Sequence, residues 1–155
     1  VLFECEFEGG QLGDVHLHPA PIKAVARMRD KLAEYAPPHP RGQWPLAANI
    51  LDPVRAAIVV PGGPARLLQV VQWLRSPEAE RLGLRVCRIK NGFAVPSEEV
   101  QDGYRDVKVF AAFAPCESGL GIVGEIQVHD LPLFETKSRM HKLYRVKRAQ
   151  AADLI

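Results

Sequence analysis

Phe3, Cys5 and Phe7 alternate with Glu4, Glu6 and Glu8 at the start of the chain, the period of two expected of a half-buried strand. This predicts an edge strand over Leu2 to Glu8, ended by Gly9 and Gly10, and then a loop holding His16 and His18. From Ala20 to Tyr35 the period becomes helical, with Pro21 near the start and Ile22, Val25, Ala26 and Leu32 on one stripe. Pro37, Pro38, Pro40 and Pro45 form a rigid connector. Val54 to Val60 is mostly β-branched and apolar, an interior strand with Asp52 at its entrance. Pro61-Gly62-Gly63-Pro64 turns the chain, and Leu67, Leu68, Val71 and Leu74 predict a helix over Ala65 to Leu74, closed by Pro77. Three more strands are expected, over Leu84 to Lys90, Tyr104 to Phe113 and Gly121 to His129, then a helix from Leu133 to about Ala151. The sum is an α/β (α+β) domain, a mixed sheet of roughly four or five strands with helices packed against it.

At 155 residues, 47% apolar and 25% charged, the chain has the size of one domain (1–155) with a core of its own. Its start at Val1, without methionine, raises the expectation that it is part of a longer chain. Cys5, Cys87 and Cys116 show no C-x-x-C spacing, so a reducing, cytoplasmic setting is expected and a disulfide framework is not. No apolar run reaches the roughly 18 residues of a membrane span, and no basic leader precedes the first strand. A soluble protein is expected. The net charge of +2 is uneven: residues 132–155 carry six Lys/Arg against Glu135 and Asp153. A local cationic patch suits a small polyanion such as a nucleoside triphosphate better than a long nucleic acid, although RNA is not excluded.

The candidate chemistry follows from strand parity. Glu125, Gln127 and His129 share one face of their strand while Ile126 and Val128 share the other. A polar row of this kind commonly faces solvent, but Tyr104, Asp106 and Lys108 make a second such row on the preceding strand, and two rows can floor one cleft. Asp52 could join Glu125 in holding Mg²⁺, which takes one or two carboxylates plus substrate phosphates; the plainer role for Asp52 is to cap a turn before Pro53. On the last helix Lys137, His141, Tyr144 and Arg148 fall on one face, able to clamp phosphates or simply to meet water, with Leu133, Met140, Leu143 and Val146 as its core side. Other constellations carry less. His16-x-His18 and His129-Asp130 lack the further ligands of a metal or HD-type site, Gly62-Gly63 lacks a following G-K-[ST], and Cys87 reads as a buried small hydrophobe.

Asp52 opening a strand, Gly103-Tyr104-Arg105-Asp106 and Glu125-Ile126-Gln127 together resemble the RelA/SpoT-like alarmone synthetases, in order and in spacing, over roughly residues 20 to 150. Lys90, within Arg88-Ile89-Lys90-Asn91, sits where that family places a basic residue. The resemblance implies a nucleotidyltransferase-like fold and Mg²⁺-dependent transfer of pyrophosphate from ATP to the ribose 3′-hydroxyl of a guanine nucleotide. It further implies Asp52 and Glu125 as catalytic metal ligands and Tyr104 as the platform for the acceptor base. Lys90, Lys108, Gln127, Arg55, Lys137, His141, Tyr144 and Arg148 are the remaining candidate substrate contacts. Departures are the Ala57 that stands where the family has arginine, with Arg55 nearby, and Ser97, Lys108 and His129 in place of the family's residues. They leave the acceptor open among a guanine nucleotide, an adenine nucleotide and an RNA 3′ end. They also leave open a catalytically silent module that binds nucleotide or RNA.

Overall fold

The computed structural model describes residues 1–40, 42–100, 103–113 and 121–140. Six strands form one sheet: β1 (Leu2–Phe7), β2 (Gln11–Pro19), β3 (Val54–Val60), β4 (Leu84–Asn91), β5 (Val107–Phe113) and β6 (Ile122–Asp130). Their order is β1-β2-β3-β6-β5-β4, and only β3 and β6 run parallel. The helices are α1 (Val25–Glu34), α2 (Pro64–Leu74) and α3 (Pro77–Arg81), with a fourth, α4, over residues 131–140. Among the described residues no helix is long and apolar enough to cross a membrane.

The sheet has two distinct faces. On one, Leu67, Val71 and Leu74 of α2 close over Phe7, Val15, Val60, Val107, Val109 and Val128, forming the apolar core. Gly62 and Gly63 have φ of 101° and 88°, a left-handed turn that side chains rarely tolerate, which lets the chain reverse from β3 into α2 with Pro64 at the helix start. In β4 the register shifts between Val86 and Arg88, leaving Cys87 unpaired. This bulge resets the side-chain alternation, so Leu84, Val86 and Ile89 all pack on the core. It also leaves Cys87 exposed rather than buried, a correction to the sequence expectation.

Several boundaries differ from those expected. The sheet has six strands because His16 and His18 lie on β2 and not in a loop; their alternation with Val15 and Leu17 is a strand pattern hidden by its polar face. The strand expected from Tyr104 begins at Val107, since Tyr104 and Asp106 occupy the connection before it. Pro77 starts the short α3, capped by the Ser76 hydroxyl, which accepts from Ala79 N at 3.3 Å. The amphipathic stripe expected in the first helix does not meet the core: Ile22 and Val25 are exposed. In α4, Phe134 packs against His18 and His129, while Met140 is exposed.

Candidate functional site

Registers across the sheet assemble rows of residues on the face opposite the core. Arg55 of β3 pairs with Glu125, Glu125 with Phe110, and Phe110 with Arg88. One step along, His18, Ala57, Gln127, Lys108 and Lys90 line up across five strands. The next row brings His16, Val59 and His129 together. Five candidates, Arg55, Lys90, Lys108, Glu125 and Gln127, therefore share one surface. α4 covers part of it, and Glu125 and His129 are buried rather than solvated.

A continuous hydrogen-bond chain links this face to α4. Glu125 Oε1 accepts from Gln127 Nε2 at 2.6 Å, and Gln127 Oε1 accepts from Lys137 Nζ at 2.8 Å. Lys137 Nζ also donates to Tyr104 Oη at 2.9 Å and sits 4.7 Å from the centre of that ring. Tyr104 Oη donates to Asp106 Oδ2 at 2.9 Å and lies 3.0 Å from His129 Nδ1. Its single proton being given to Asp106, His129 must carry its proton on Nδ1 and donate to the phenol oxygen. Lys108 closes the chain 3.4 Å from Asp106 Oδ1. Burial, reinforced by Asp106, raises the Tyr104 phenol above its ordinary value, so it stays neutral. Burial lowers the Lys137 ammonium, against the pull of Asp106 and Glu125.

Asp52 lies just before β3, buried, where Oδ2 accepts from both Lys23 Nζ and Lys31 Nζ, the latter at 2.7 Å. Burial alone would raise its carboxyl; the two lysines overcome that and hold it below the ordinary range. Its other oxygen, Oδ1, is buried with no hydrogen-bond partner among the described residues. An orphaned carboxylate oxygen suits a cation. Among the described residues no group of three or more His, Cys, Asp or Glu side chains could hold a metal. One or two carboxylates are what Mg²⁺ takes beside substrate phosphates.

The architecture has counterparts among solved proteins. Small alarmone synthetase 2 from Bacillus subtilis superposes with a TM-score of 0.64 at 18% identity, over 86% of this chain and 64% of that one. A GTP pyrophosphokinase family protein from Streptococcus pneumoniae gives 0.63 at 17% identity, over 86% of this chain and 61% of the other. This is the alarmone-synthetase fold. Small alarmone synthetase 1 from B. subtilis, solved with its product pppGpp, also matches, at 0.61 and 18% identity over 83% of this chain and 62% of its own length. The chain thus spans a little over three-fifths of these proteins. No family model and no curated protein matches it.

Within this alarmone-synthetase fold, sequence reasoning missed Lys23 and Lys31. Their signal was present, since positions 23, 27 and 31 are all basic and spaced by four, but their common partner Asp52 is distant in sequence. His141, Tyr144 and Arg148, and the expected helix beyond residue 140, lie outside the described residues.

Arg105 positions the loop between β4 and Tyr104. Its Nη1 donates to the carbonyls of Gly92, Phe93 and Val95 at 2.9, 3.1 and 2.7 Å, and its Nη2 to Ser97 Oγ at 3.3 Å. Gly92 N donates to Asp106 O at 2.8 Å, and a Cβ at Gly92 would come within 2.7 Å of that same oxygen. Arg105→Ala leaves several carbonyls without their donor. A loss of about 2 kcal/mol is expected, read as a lower urea midpoint.

His129 is fully buried, and burial, reinforced by Lys137, lowers its pKa to about 4. A histidine that is harder to protonate folded than unfolded stabilises fully above its unfolded value, near 6.5, and that stability is lost as pH falls toward 4. Urea melts should show a decline of about 2–3 kcal/mol across that window, absent in His129→Leu.

Proposed function

We propose that this chain transfers pyrophosphate from ATP to the 3′-hydroxyl of a guanine nucleotide, with Mg²⁺. The observation that carries this reading is the buried Glu125, joined through Gln127 and Lys137 to Tyr104 on one face of an alarmone-synthetase fold. The small alarmone synthetase 1 structure holding pppGpp adds support for a guanine nucleotide as substrate.

The acceptor hydroxyl oxygen attacks the β-phosphorus of ATP, the bond from that phosphorus to the α-phosphate oxygen breaks, and AMP leaves. Glu125 accepts the hydroxyl proton as general base, with Gln127 holding one of its oxygens in place. Tyr104 presents a ring whose rim is fixed by Asp106, His129 and Lys137. With these contacts gathered at its hydroxyl end, the ring would offer a face on which the guanine base stacks. Lys90, Lys108 and Arg55 flank Glu125 and Gln127 and offset phosphate charge. Lys23 and Lys31 share the single carboxylate of Asp52 and so keep a net positive charge that would offset the donor's phosphates. Asp52 and Glu125 would hold Mg²⁺, which supplies neutralisation of charge on the transferring phosphates when bound.

The test is incubation of the chain with Mg²⁺, ATP labelled on its terminal phosphate, and GDP, GTP, ATP or RNA as acceptor. Label appearing in a guanosine 3′-diphosphate, with AMP released in equal amount, is the expected result. Transfer to RNA alone would reassign the acceptor; no transfer to any acceptor would leave a binding module and overturn the proposal.

A further inference from the structure

The free edge of β4 and the corner between α2 and α3 enclose a cleft of about 480 Å³, two strands from β6; of its lining, Arg88 stands in the row of Glu125, with Phe110 between them. Three guanidinium groups line it, those of Arg75, Arg85 and Arg88. None of them has a side-chain hydrogen bond or ion pair among the described residues. Like charges gathered around one cleft repel each other, and among the described residues Glu80 is the one carboxylate in the lining. Such a cluster gains most from a multivalent anion, because each guanidinium matches a phosphate with two parallel hydrogen bonds. The walls also include the partly exposed Leu84 and Val86, a small apolar surface that a bare phosphate chain would not use. The volume falls in the range of small-molecule sites. Among the described residues no aromatic side chain lines the cleft, and such rings are the stacking platform that single-stranded nucleic acid uses.

We infer that this edge cleft is a second site, one for a nucleoside polyphosphate: Arg75, Arg85 and Arg88 bind the phosphates, the apolar wall takes the base, and Glu80 accepts from a ribose hydroxyl or base amino group. The site is independent of the proposed transfer reaction and stands or falls without it.

Cys87 provides the reporter, because it is exposed and lines the same cleft. Alkylation of Cys87 and Cys5 by iodoacetamide is followed by peptide mass spectrometry on the full chain, with GTP or inorganic tripolyphosphate at matched ionic strength. Bound ligand slows modification by one plus the ratio of its concentration to Kd, about tenfold at ten times Kd. The expected result is slowing at Cys87 with GTP, little slowing with tripolyphosphate, and an unchanged rate at Cys5. In Arg75→Ala/Arg85→Ala, two exposed positions, the protection disappears while Cys5 reacts as before, which also reports an intact fold. In Tyr104→Ala, which removes the proposed base platform, GTP still protects Cys87. Three results would overturn the inference: no protection at millimolar GTP, protection surviving the double arginine variant, or protection lost in Tyr104→Ala. Equal protection by tripolyphosphate would remove the nucleoside from it.

Discussion

Glu125→Gln is expected to lower the rate of pyrophosphate transfer by about 10²- to 10⁴-fold, the usual range for loss of a positioned general base, while the urea midpoint stays nearly unchanged. The substitution is isosteric and keeps an Oε1 able to accept from Gln127 Nε2, the 2.6 Å bond of the native chain. What disappears is the negative charge, and with it the basicity toward the acceptor hydroxyl and attraction for a cation. Single-turnover assays with saturating ATP and acceptor separate this loss from weaker binding. A variant with unimpaired single-turnover rate would remove Glu125 from the chemistry and require another base on this face.

Asp52→Asn is the second large effect, and it falls on stability as well as activity. Asp52 and Lys23 side chains are each about 10% exposed and Lys31 about a third. Removing the carboxylate charge leaves two neighbouring ammonium groups repelling each other in a partly dry site. Breaking a fully buried pair costs about 3–5 kcal/mol; with Lys31 partly solvated, about 2–3 kcal/mol is expected. The pH signature separates this from a packing defect. Asp52 is held below its ordinary value of 3.8, so its stabilisation is complete above that pH and is lost as pH falls through the lower folded value. The difference between native chain and variant should hold constant from pH 8 to 5 and shrink below about pH 4. This window lies below the one set by His129, so the two can be read from one series of urea melts.

Strand parity made much of the site legible. Glu125, Gln127 and His129 could be placed opposite Ile126 and Val128 because a strand alternates strictly, and the structure keeps that division. Arg55 and Lys90 were harder: their place beside Glu125 and Lys108 depends on which strands are neighbours and in what register, information no local pattern holds. Asp52 was visible as a carboxylate at a strand entrance, whereas its lysine partners depend on how the chain from Ala20 to Val25 returns past Pro53, where Lys23 N donates to Pro53 O at 2.9 Å. β2 escaped detection because its outward positions are His16 and His18, whose rings stack on each other, His18 also lying against Phe134, without looking apolar in sequence. The exposure of Cys87 followed from a bulge, a one-residue slip that apolar spacing alone does not reveal.

The strand order has a consequence for how this surface comes into being. Residues up to Val60 supply the ribbon β1-β2-β3 and residues 84–113 supply the hairpin of β4 and β5, yet β6 alone joins them, inserted between β3 and β5. Pairing of such distant segments is slow compared with hairpin closure. During synthesis both halves would emerge with an unpaired edge exposed, and neither would hold Glu125 or Gln127. The polar row of Arg55, Glu125, Gln127 and Lys108 should therefore come together in one step when residues 122–130 dock, making this strand the last piece of the sheet and the first piece of the site.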